Sequence, residues 1–329
     1  MIKELYLYRS ESVDPYYNLA TERTLFDLCP EDSLILYLWQ NEMTVVTGRN
    51  QNALRECRVS LLTEEGGRLA RRLSGGGAVF HDLGNLNFTF ILPRRDLDIP
   101  RQSGVIVSAC RALGVSVGLS GRNDILLDGK KISGSAYYKS GERAYHHGTL
   151  LIKVDPELIG RYLSPPSEKL RAKGVSSVRS RVTDLCSAKP ELTVKEAEKA
   201  LIEAAVREYG LEAKEFVFPP AAEEERQNLC TLYSSKEWLF GSDAPASFSF
   251  ELTFLWGSIC IELSAERGII TGAKVYTDAM DPELAKTVER SLLGREFSKR
   301  DMIAGVSACD TEESVRSDLI RALEELTEL

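Results

Sequence analysis

Three consecutive glycines, Gly75 to Gly77, constrain the fold more than any other feature of this 329-residue sequence. Glycine weakens helix and strand interiors and tolerates unusual backbone angles, so the run predicts a loop whose N–H groups are free. Arg71 and Arg72 precede the loop, and residues 87–92 beyond it have the apolar pattern of a half-buried strand. N–H groups beside permanent positive charge suit a phosphate group. We therefore expect an anion-binding loop set on a sheet; the alternative is a purely structural turn in an edge hairpin.

The composition is that of a soluble globular protein. Hydrophobic residues make up 43% and charged residues 27% of the chain, so neither disorder nor a fibrous structure is indicated. The net charge of −8 argues against a nucleic-acid partner, because phosphate backbones are bound by basic surfaces. The N-terminus lacks the apolar core of a signal peptide, and no later run approaches the roughly 20 apolar residues of a membrane span. We expect a cytoplasmic protein with no membrane partner.

Cysteine and histidine content limits the available chemistry. The seven cysteines are widely spaced and form no Cys-x-x-Cys pair, so neither a disulfide framework nor a zinc site is expected. Only His81, His146 and His147 occur, which argues against a His-rich metal centre. If His146 and His147 lie in one strand, at most one of them can meet a ligand on a given sheet face.

Local signals predict a mixture of helices and strands. An acid followed by proline at residues 14 and 15 is a helix start. Asp128-Gly129 is a strong hairpin signal. Thr193 has the spacing of a capping box, and it predicts a helix that ends at Gly210. These signals indicate an α+β fold.

The C-terminal part of the chain is predicted to form a second, smaller unit. Two segments could end the first unit, residues 219–225 and residues 241–247. We prefer the second, because the residues between the two segments include a further predicted helix and Trp238, whose large side chain needs burial. Three strands and then three helices are predicted beyond it. The expected division is residues 1–243 and residues 246–329.

A second polar cluster follows the glycine loop. Lys131 enters a strand before small residues, so its ammonium group could lie against a ligand phosphate; the alternative is an exposed hairpin lysine. Asn123 and Asp124 could recognise a base or ribose, or simply form a turn. His81 and Asp82 have the residue types of a proton relay, but no serine or cysteine nucleophile is evident beside them.

Five motifs in fixed order are more specific than any one of them. They are Arg-Arg-x-Ser-Gly-Gly-Gly-Ala-Val-Phe-His-Asp, Gly-Arg-Asn-Asp, Lys-Ile-Ser-Gly-Ser-Ala, His-His-Gly-Thr-Leu and Ala-Lys-Gly-x-x-Ser-Val-Arg-Ser-Arg. Together they closely resemble the lipoate–protein ligase A family, over nearly the whole chain. The resemblance implies a catalytic domain with a mixed and antiparallel sheet of the biotin/lipoate ligase type, flanked by helices, and a small α+β C-terminal domain. Biotin is disfavoured, because biotin ligases carry other loop signatures.

The resemblance also implies roles for individual residues. Lys131 immediately precedes Ile-Ser-Gly-Ser-Ala, which makes it the family's catalytic lysine, in contact with both lipoate and the α-phosphate. The implied ATP-binding residues are Arg72, Gly77, Ala78, Val79, Phe80 and Lys131. The implied lipoate-binding residues are Gly75, Gly76, Val79, His81 and Lys131. Residues placed around the adenylate or in its closing loop are Asn123, Asp124, His147, Lys173 and Arg179, with Asp124 also a candidate Mg²⁺ contact.

The implied reaction has two steps. Lipoate and Mg–ATP give lipoyl-AMP and pyrophosphate, and the lipoyl group then passes to a lysine of an acceptor protein. The family's acceptors are lipoyl domains of 2-oxoacid dehydrogenase E2 subunits and the glycine-cleavage H protein, and the enzyme is expected to be a monomer. The side chains of residues 78–80 are expected to line an apolar slot that accepts octanoate as a weaker substrate, with ordinary core as the alternative. Residues 174–181 are expected to form a mobile loop over the adenylate.

Two other functions remain open. One is an ATP-independent transferase on the same fold that moves octanoyl groups through a cysteine nucleophile. None of the cysteines lies within the motifs, although Cys186 follows residues 174–181, which we call the basic segment. The other is a non-catalytic lipoate-binding protein, which would require the loss of motif residues, and none is lost.

Overall fold

The computed structural model describes residues 2–120, 124–163, 182–240, 248–266 and 268–325. Strands β1 to β14 span Glu4–Arg9, Ser33–Trp39, Thr44–Thr47, Arg68–Arg71, Val79–His81, Asn85–Pro93, Gly118–Ser120, Asp124–Leu127, Lys130–Ser140, Arg143–Leu151, Ala213–Glu215, Phe248–Phe254, Gly257–Glu266 and Ile269–Thr277. Helices α1 to α11 span Pro15–Leu28, Ala53–Glu56, Val59–Glu64, Ile99–Ala112, Pro156–Tyr162, Val194–Tyr209, Glu223–Ser234, Lys236–Phe240, Leu284–Leu292, Lys299–Ser307 and Glu313–Glu325.

Several sequence predictions fall outside these described residues. They concern Asn123, Lys173, Arg179, the loop expected at residues 174–181 and the boundary expected at residues 241–247.

An eight-stranded mixed sheet organises the first part of the chain, in the order β11-β1-β2-β6-β10-β9-β8-β7. Every residue of β2 and β6 is buried, because helices cover both faces of the sheet. On one face α4 and α6 pack over Leu34, Leu36 and Phe90. On the other, α1 and α7 pack over Ile35 and Tyr37. The expected α+β architecture, with a mixed sheet between helices, is confirmed.

A separate three-stranded sheet, in the order β4-β3-β5, carries the glycine loop. Strand β3 pairs parallel with β4 and antiparallel with β5. The loop connects β4 to β5, and β6 of the large sheet follows after a short turn. The loop is therefore held between two sheets.

The local signals correctly predicted turns and helix ends. Asp14 accepts hydrogen bonds from two backbone N–H groups at the start of α1. Asp128 and Gly129 have φ angles of 50° and 77°, as the two positive-φ positions of a tight hairpin require. Thr193 forms the capping box of α6, and Gly210 ends that helix in the left-handed conformation.

The C-terminal part forms a three-stranded antiparallel sheet, in the order β12-β13-β14, with α9, α10 and α11 packed on it. Strand β14 leads back to the first part, where the Thr277 N–H donates to the Asn50 carbonyl at 2.8 Å. The Asn50 side chain in turn donates to the Pro282 carbonyl at 2.7 Å. Within the described residues no helix is long and apolar enough to cross a membrane.

Candidate active site

A cavity of about 510 Å³ lies where the glycine loop, the large sheet and the C-terminal part meet. The residues from the first part of the chain, which we call the floor, are Leu19, Trp39, Val46, Arg72, Gly76, Gly77, Ala78, Val79, His81, Asn87, Lys131, Gly134, Ser135, Ala136, His147, Gly148 and Thr149. Residues 253–258 and 278–280 of the C-terminal part, which we call the roof, cover it, and all of them except Ala279 line the cavity.

Arg72 shapes the glycine loop from beneath. Its guanidinium donates to the carbonyls of Gly75 at 2.7 Å and Gly77 at 2.8 Å. It also donates to the Val46 carbonyl at 3.1 Å and to the Ser74 hydroxyl at 3.0 Å. Within the described part of the chain no carboxylate forms a direct ion pair with it. Burial lowers the pKa of Arg72 to about 10, so the group stays charged at pH 7 and a bound anion would compensate that charge.

Arg71, although adjacent, has a different role. Its guanidinium donates to the carbonyls of Gly48, Arg49 and Gln51. It also donates to the carbonyls of residues 238 and 239 in α8, and the Trp238 indole N–H donates back to the Arg71 carbonyl. Because strand residues alternate in direction, the pair splits into one structural arginine and one arginine at the cavity.

The same alternation separates the residues of β5. Val79 and His81 line the cavity, whereas the Phe80 ring stacks on Tyr162 at 5.3 Å on the other side of the small sheet. The predicted acyl slot is therefore wrong in one respect, since the Phe80 side chain is core. The His81 ring is held by the Asn41 amide at 3.2 Å. Burial lowers the pKa of His81 to about 3, so the ring is neutral.

Lys131 reaches the cavity because strand β9 is irregular. The register between β8 and β9 shifts beside Lys131, so Leu126 pairs with it while Ile125 pairs with Ser133. A bulge of this kind re-aims a side chain. The ammonium group pairs with Asp124 at 2.8 Å. A Cβ on Gly134 would stand only 2.5 Å from the Lys131 Nζ. Gly134 thus leaves the room that the lysine occupies.

The backbone of Lys131 also contacts the residues that follow the basic segment. Its carbonyl accepts from the Thr183 N–H at 2.9 Å, and Val182 forms a parallel bridge with it. On the other side of residues 164–181, Leu163 bridges to Cys57. Both flanks of residues 164–181 are therefore fixed to the first part of the chain.

The paired histidines face opposite sides of the sheet, as the sequence predicted. His147 lines the cavity and contacts Ser74 at 2.7 Å and Glu22 at 2.8 Å. His146 packs on the other face against Phe88 and Phe90, and it lines a second cavity of about 550 Å³ that adjoins the first. Burial lowers the pKa of His146 to about 3.

The structure brings most of the predicted site residues together. Those at the cavity are Arg72, Gly76, Gly77, Ala78, Val79, His81, Lys131 and His147. Asp124 joins them through Lys131 and lines the second cavity. Gly75 lies against the roof, since a Cβ on it would stand 2.3 Å from the Ala279 carbonyl oxygen. The roles of all these residues stay predictions.

Sequence reasoning missed two groups of residues. The first is the roof, including Leu255 and Trp256. The available signal for it was the sequence Val-Tyr-Thr-Asp at residues 275–278, where β14 ends. The second is a set of buried residues beneath the floor, among them Glu22 and Ser74. Nothing near Glu22 in the sequence marks it, because its contacts come from residues far along the chain.

Comparison with known proteins identifies the family. The family model of the lipoyl protein ligase A/B catalytic domain matches residues 14–206, more than half of the chain. The chain belongs to this family. A second model, that of the bacterial lipoate protein ligase C-terminus, matches residues 245–329. The resemblance to lipoate–protein ligase A found in the sequence is thereby confirmed.

Solved structures of lipoate ligases share the fold. P. falciparum LipL1, solved in complex with lipoate, has a TM-score of 0.85 at 22% identity, covering 98% of this chain and 100% of that one. A lipoate-protein ligase A bound with ATP has a TM-score of 0.64 at 25% identity, over 73% and 99% of the two chains. A bi-partite lipoate protein ligase from Thermoplasma acidophilum, described with its E2 lipoyl domain, has a TM-score of 0.65 at 27% identity, over 75% and 100%.

Proposed function

We propose that this lipoate ligase family member activates free lipoate with ATP, forming lipoyl-AMP and pyrophosphate, and then transfers the lipoyl group to a lysine of an acceptor protein. One observation carries the proposal: a single cavity contains the Lys131 ammonium group, the Arg72-supported glycine loop and an apolar wall. Structural neighbours solved with lipoate and with ATP support the choice of substrates.

The first step requires positioning and charge compensation. A carboxylic acid is already ionised at pH 7, so its attack on the α-phosphate needs no general base. The barrier comes from bringing two anions together in line, and fixed donors lower it. Lys131, Arg72 and the backbone N–H groups of residues 77–80 are proposed to supply those donors. Leu19, Val46 and Val79 offer apolar surface for the acyl chain.

Magnesium would enter as part of the Mg–ATP substrate. Within the described residues, no group of three or more His, Cys, Asp or Glu side chains could hold a metal ion. Magnesium is normally held by one or two carboxylates together with phosphates and water, so one protein contact is sufficient. Asp124 is the proposed contact, although one of its oxygens already pairs with Lys131.

The second step would take place between the two parts of the chain. We propose residues 1–243 as the catalytic domain and residues 246–329 as an accessory domain. Lipoyl domains of E2 subunits and the H protein are the proposed acceptors, and the E2 lipoyl domain studied with the Thermoplasma acidophilum ligase supports the first class. The acceptor lysine must lose a proton before it attacks, since its reference pKa is about 10.4.

The cysteine-dependent alternative finds no support in the geometry. All seven cysteines are described, and none lines the cavity. Burial raises the pKa of Cys29 and of Cys110 to about 12, which opposes thiolate formation. Cys186, which follows the basic segment, donates its S–H to the Leu192 carbonyl, and burial raises its pKa as well.

The decisive experiment is ATP–pyrophosphate exchange with the purified protein. Exchange is expected to depend on lipoate. Octanoate should support slower exchange, because the acyl slot recognises mainly an apolar chain. Lipoate-independent octanoyl transfer from a carrier protein, without exchange, would establish the transferase instead. Lipoate binding without either reaction would establish the binding protein.

A further inference from the structure

A buried chain of hydrogen bonds runs from Arg72 to Glu22, beneath the cavity floor. The Arg72 Nε–H lies 3.0 Å from the Ser74 Oγ. Ser74 Oγ lies 2.7 Å from His147 Nε2, and His147 Nδ1 lies 2.8 Å from Glu22 Oε1. Thr89 donates its hydroxyl to the same Glu22 oxygen at 2.7 Å. All four members of the chain are buried, Ser74 completely.

The chemistry of the two ends sets the direction of the two outer bonds. A guanidinium can only donate, so Ser74 Oγ accepts from Arg72. A carboxylate can only accept, so His147 Nδ1 carries a proton toward Glu22. Between the Ser74 hydroxyl and His147 Nε2, either atom can be the donor. Through Ser74 and His147, the chain links the buried Arg72 guanidinium to the buried Glu22 carboxylate.

The distances resemble those of a Ser-His-acid catalytic triad, but the serine is not placed as a nucleophile. Ser74 has no exposed surface and is absent from the cavity wall. Its oxygen also accepts a hydrogen bond from the Arg72 Nε–H, which lowers its capacity to attack. An acyl-serine intermediate is therefore not what this geometry serves.

We propose that Glu22 is a positioning residue that holds Arg72, and through Arg72 the glycine loop, in the shape that receives the nucleotide. The same guanidinium that ends the chain donates to the carbonyls of Gly75 and Gly77, so its orientation fixes the loop. Glu22 also supplies negative charge to a cation that has no carboxylate in direct contact within the described residues. Burial lowers the pKa of Arg72, and the charge of Glu22 opposes that shift.

The first test needs no substitution and no activity. The chain has only three histidines, so ¹⁵N-labelled histidine gives few signals to assign. We expect a proton on Nδ1 of His147, where the Glu22 carboxylate accepts it. A ring that carries its proton on Nε2 alone would overturn the proposal even if every variant failed to fold.

The second test rests on the proposed function and uses lipoate-dependent pyrophosphate exchange. Glu22→Gln keeps the side-chain shape and removes the charge, and we expect roughly a 10-fold higher KM for ATP, by analogy with the partners that orient ligating residues. The KM for lipoate should stay unchanged, whereas a residue that only shapes the acyl slot would raise it. A wild-type KM for ATP in the folded variant would contradict the proposal.

Asp27→Asn is the matched control. Asp27 lies on the same helix, is exposed and pairs only with the surface side chain of Arg23 among the described residues. The substitution removes the same charge without touching the buried chain of hydrogen bonds. The KM of this variant for ATP should equal that of the wild type. If the wild-type protein shows no exchange, the proposed function fails, but the ¹⁵N measurement on His147 still tests the Glu22 proposal.

Discussion

The floor and the roof of the cavity are built differently. Two polar side chains of the floor are fixed by hydrogen bonds: Arg72 makes five, and His147 makes two. The roof meets the glycine loop through backbone, since the Gly76 N–H donates to the Ala279 carbonyl at 3.0 Å. At the hairpin tip of the roof, Leu255 is 97% exposed.

This difference separates two tasks. A floor with locked side chains can present donors in fixed positions, which is what stabilisation of a developing charge requires. A roof joined to the loop through backbone contact can be displaced without disturbing those donors. Substitutions in the floor should therefore change rates, and substitutions at the junction should change stability or the packing of the roof.

The largest effect is expected at Lys131. Lys131→Ala removes the ammonium group at the cavity, and adenylation should slow by roughly 10²-fold or more, as for the loss of one preorganised donor. Pyrophosphate release, measured with lipoate and ATP, is the readout. Lys130→Ala is the control, because Lys130 is exposed and absent from the cavity wall. Near wild-type release by the Lys131 variant would remove this residue from the mechanism.

A substitution at Gly134 should displace the Lys131 ammonium group without removing it. Gly134→Ala places a Cβ 2.5 Å from the Lys131 Nζ, and the flexible lysine tip can move aside. Pyrophosphate exchange should fall roughly 10-fold while the melting temperature changes little, because misplacement by about 1 Å is costly for catalysis. Gly104→Ala in helix α4, where a Cβ meets nothing within 4 Å, should leave exchange unchanged. Equal exchange in both variants would show that the lysine position is not critical.

The junction between floor and roof can be tested at Gly75. In Gly75→Ala the Cβ would stand 2.3 Å from the Ala279 carbonyl oxygen and 2.8 Å from that of Met280, so backbone must move. We expect a loss of roughly 1–3 kcal/mol in unfolding free energy, as for other overpacked sites. Faster amide exchange at residues 278–280 should accompany it. Gly77→Ala has open space for its Cβ and should retain stability, and the reverse order would contradict the contact.

The smallest effect is a pH dependence of stability that comes from His146, on the face of the large sheet opposite His147. His146 is buried and neutral, with a pKa lowered by burial to about 3, whereas the unfolded chain binds its proton near pH 6.5. The unfolded state therefore gains protons first as the pH falls, and stability present above pH 6.5 is lost progressively toward pH 3. Between pH 7 and 5.5 the loss should be about 1 kcal/mol from this group.

Urea unfolding of the wild type and of His146→Phe at the two pH values measures that contribution. The phenyl ring would sit between Phe88 and Phe90, which already contact the imidazole. The variant should lose less stability on acidification, with the remainder due to His81 and other titrating groups. Identical slopes would show that His146 is not buried in the neutral form.

How much the sequence could predict depends on the range of each interaction. The cap at Asp14, the Asp128-Gly129 hairpin and the helix end at Gly210 were correct, because each rests on neighbouring residues. The opposite directions of His146 and His147 followed from strand alternation alone. Most of the predicted site residues that the structure describes also converge at the cavity, since a family resemblance carries three-dimensional information that local patterns lack.

Long-range contacts could not be predicted in this way. The side chain of Phe80 points into the core because β5 belongs to a separate small sheet, which no local pattern reveals. The bulge that directs Lys131 depends on its pairing with β8. Glu22 is separated from His147 by 125 residues, so only the folded chain shows that they touch.

The bridges on either side of residues 164–181 tie two distant places in the first part of the chain to the site. Leu163 bridges to Cys57, and Val182 bridges to Lys131. Because Lys131 belongs to the same strand whose register shift brings its ammonium group to the cavity, a change in the backbone at Val182 and a change in the position of that ammonium group are mechanically linked.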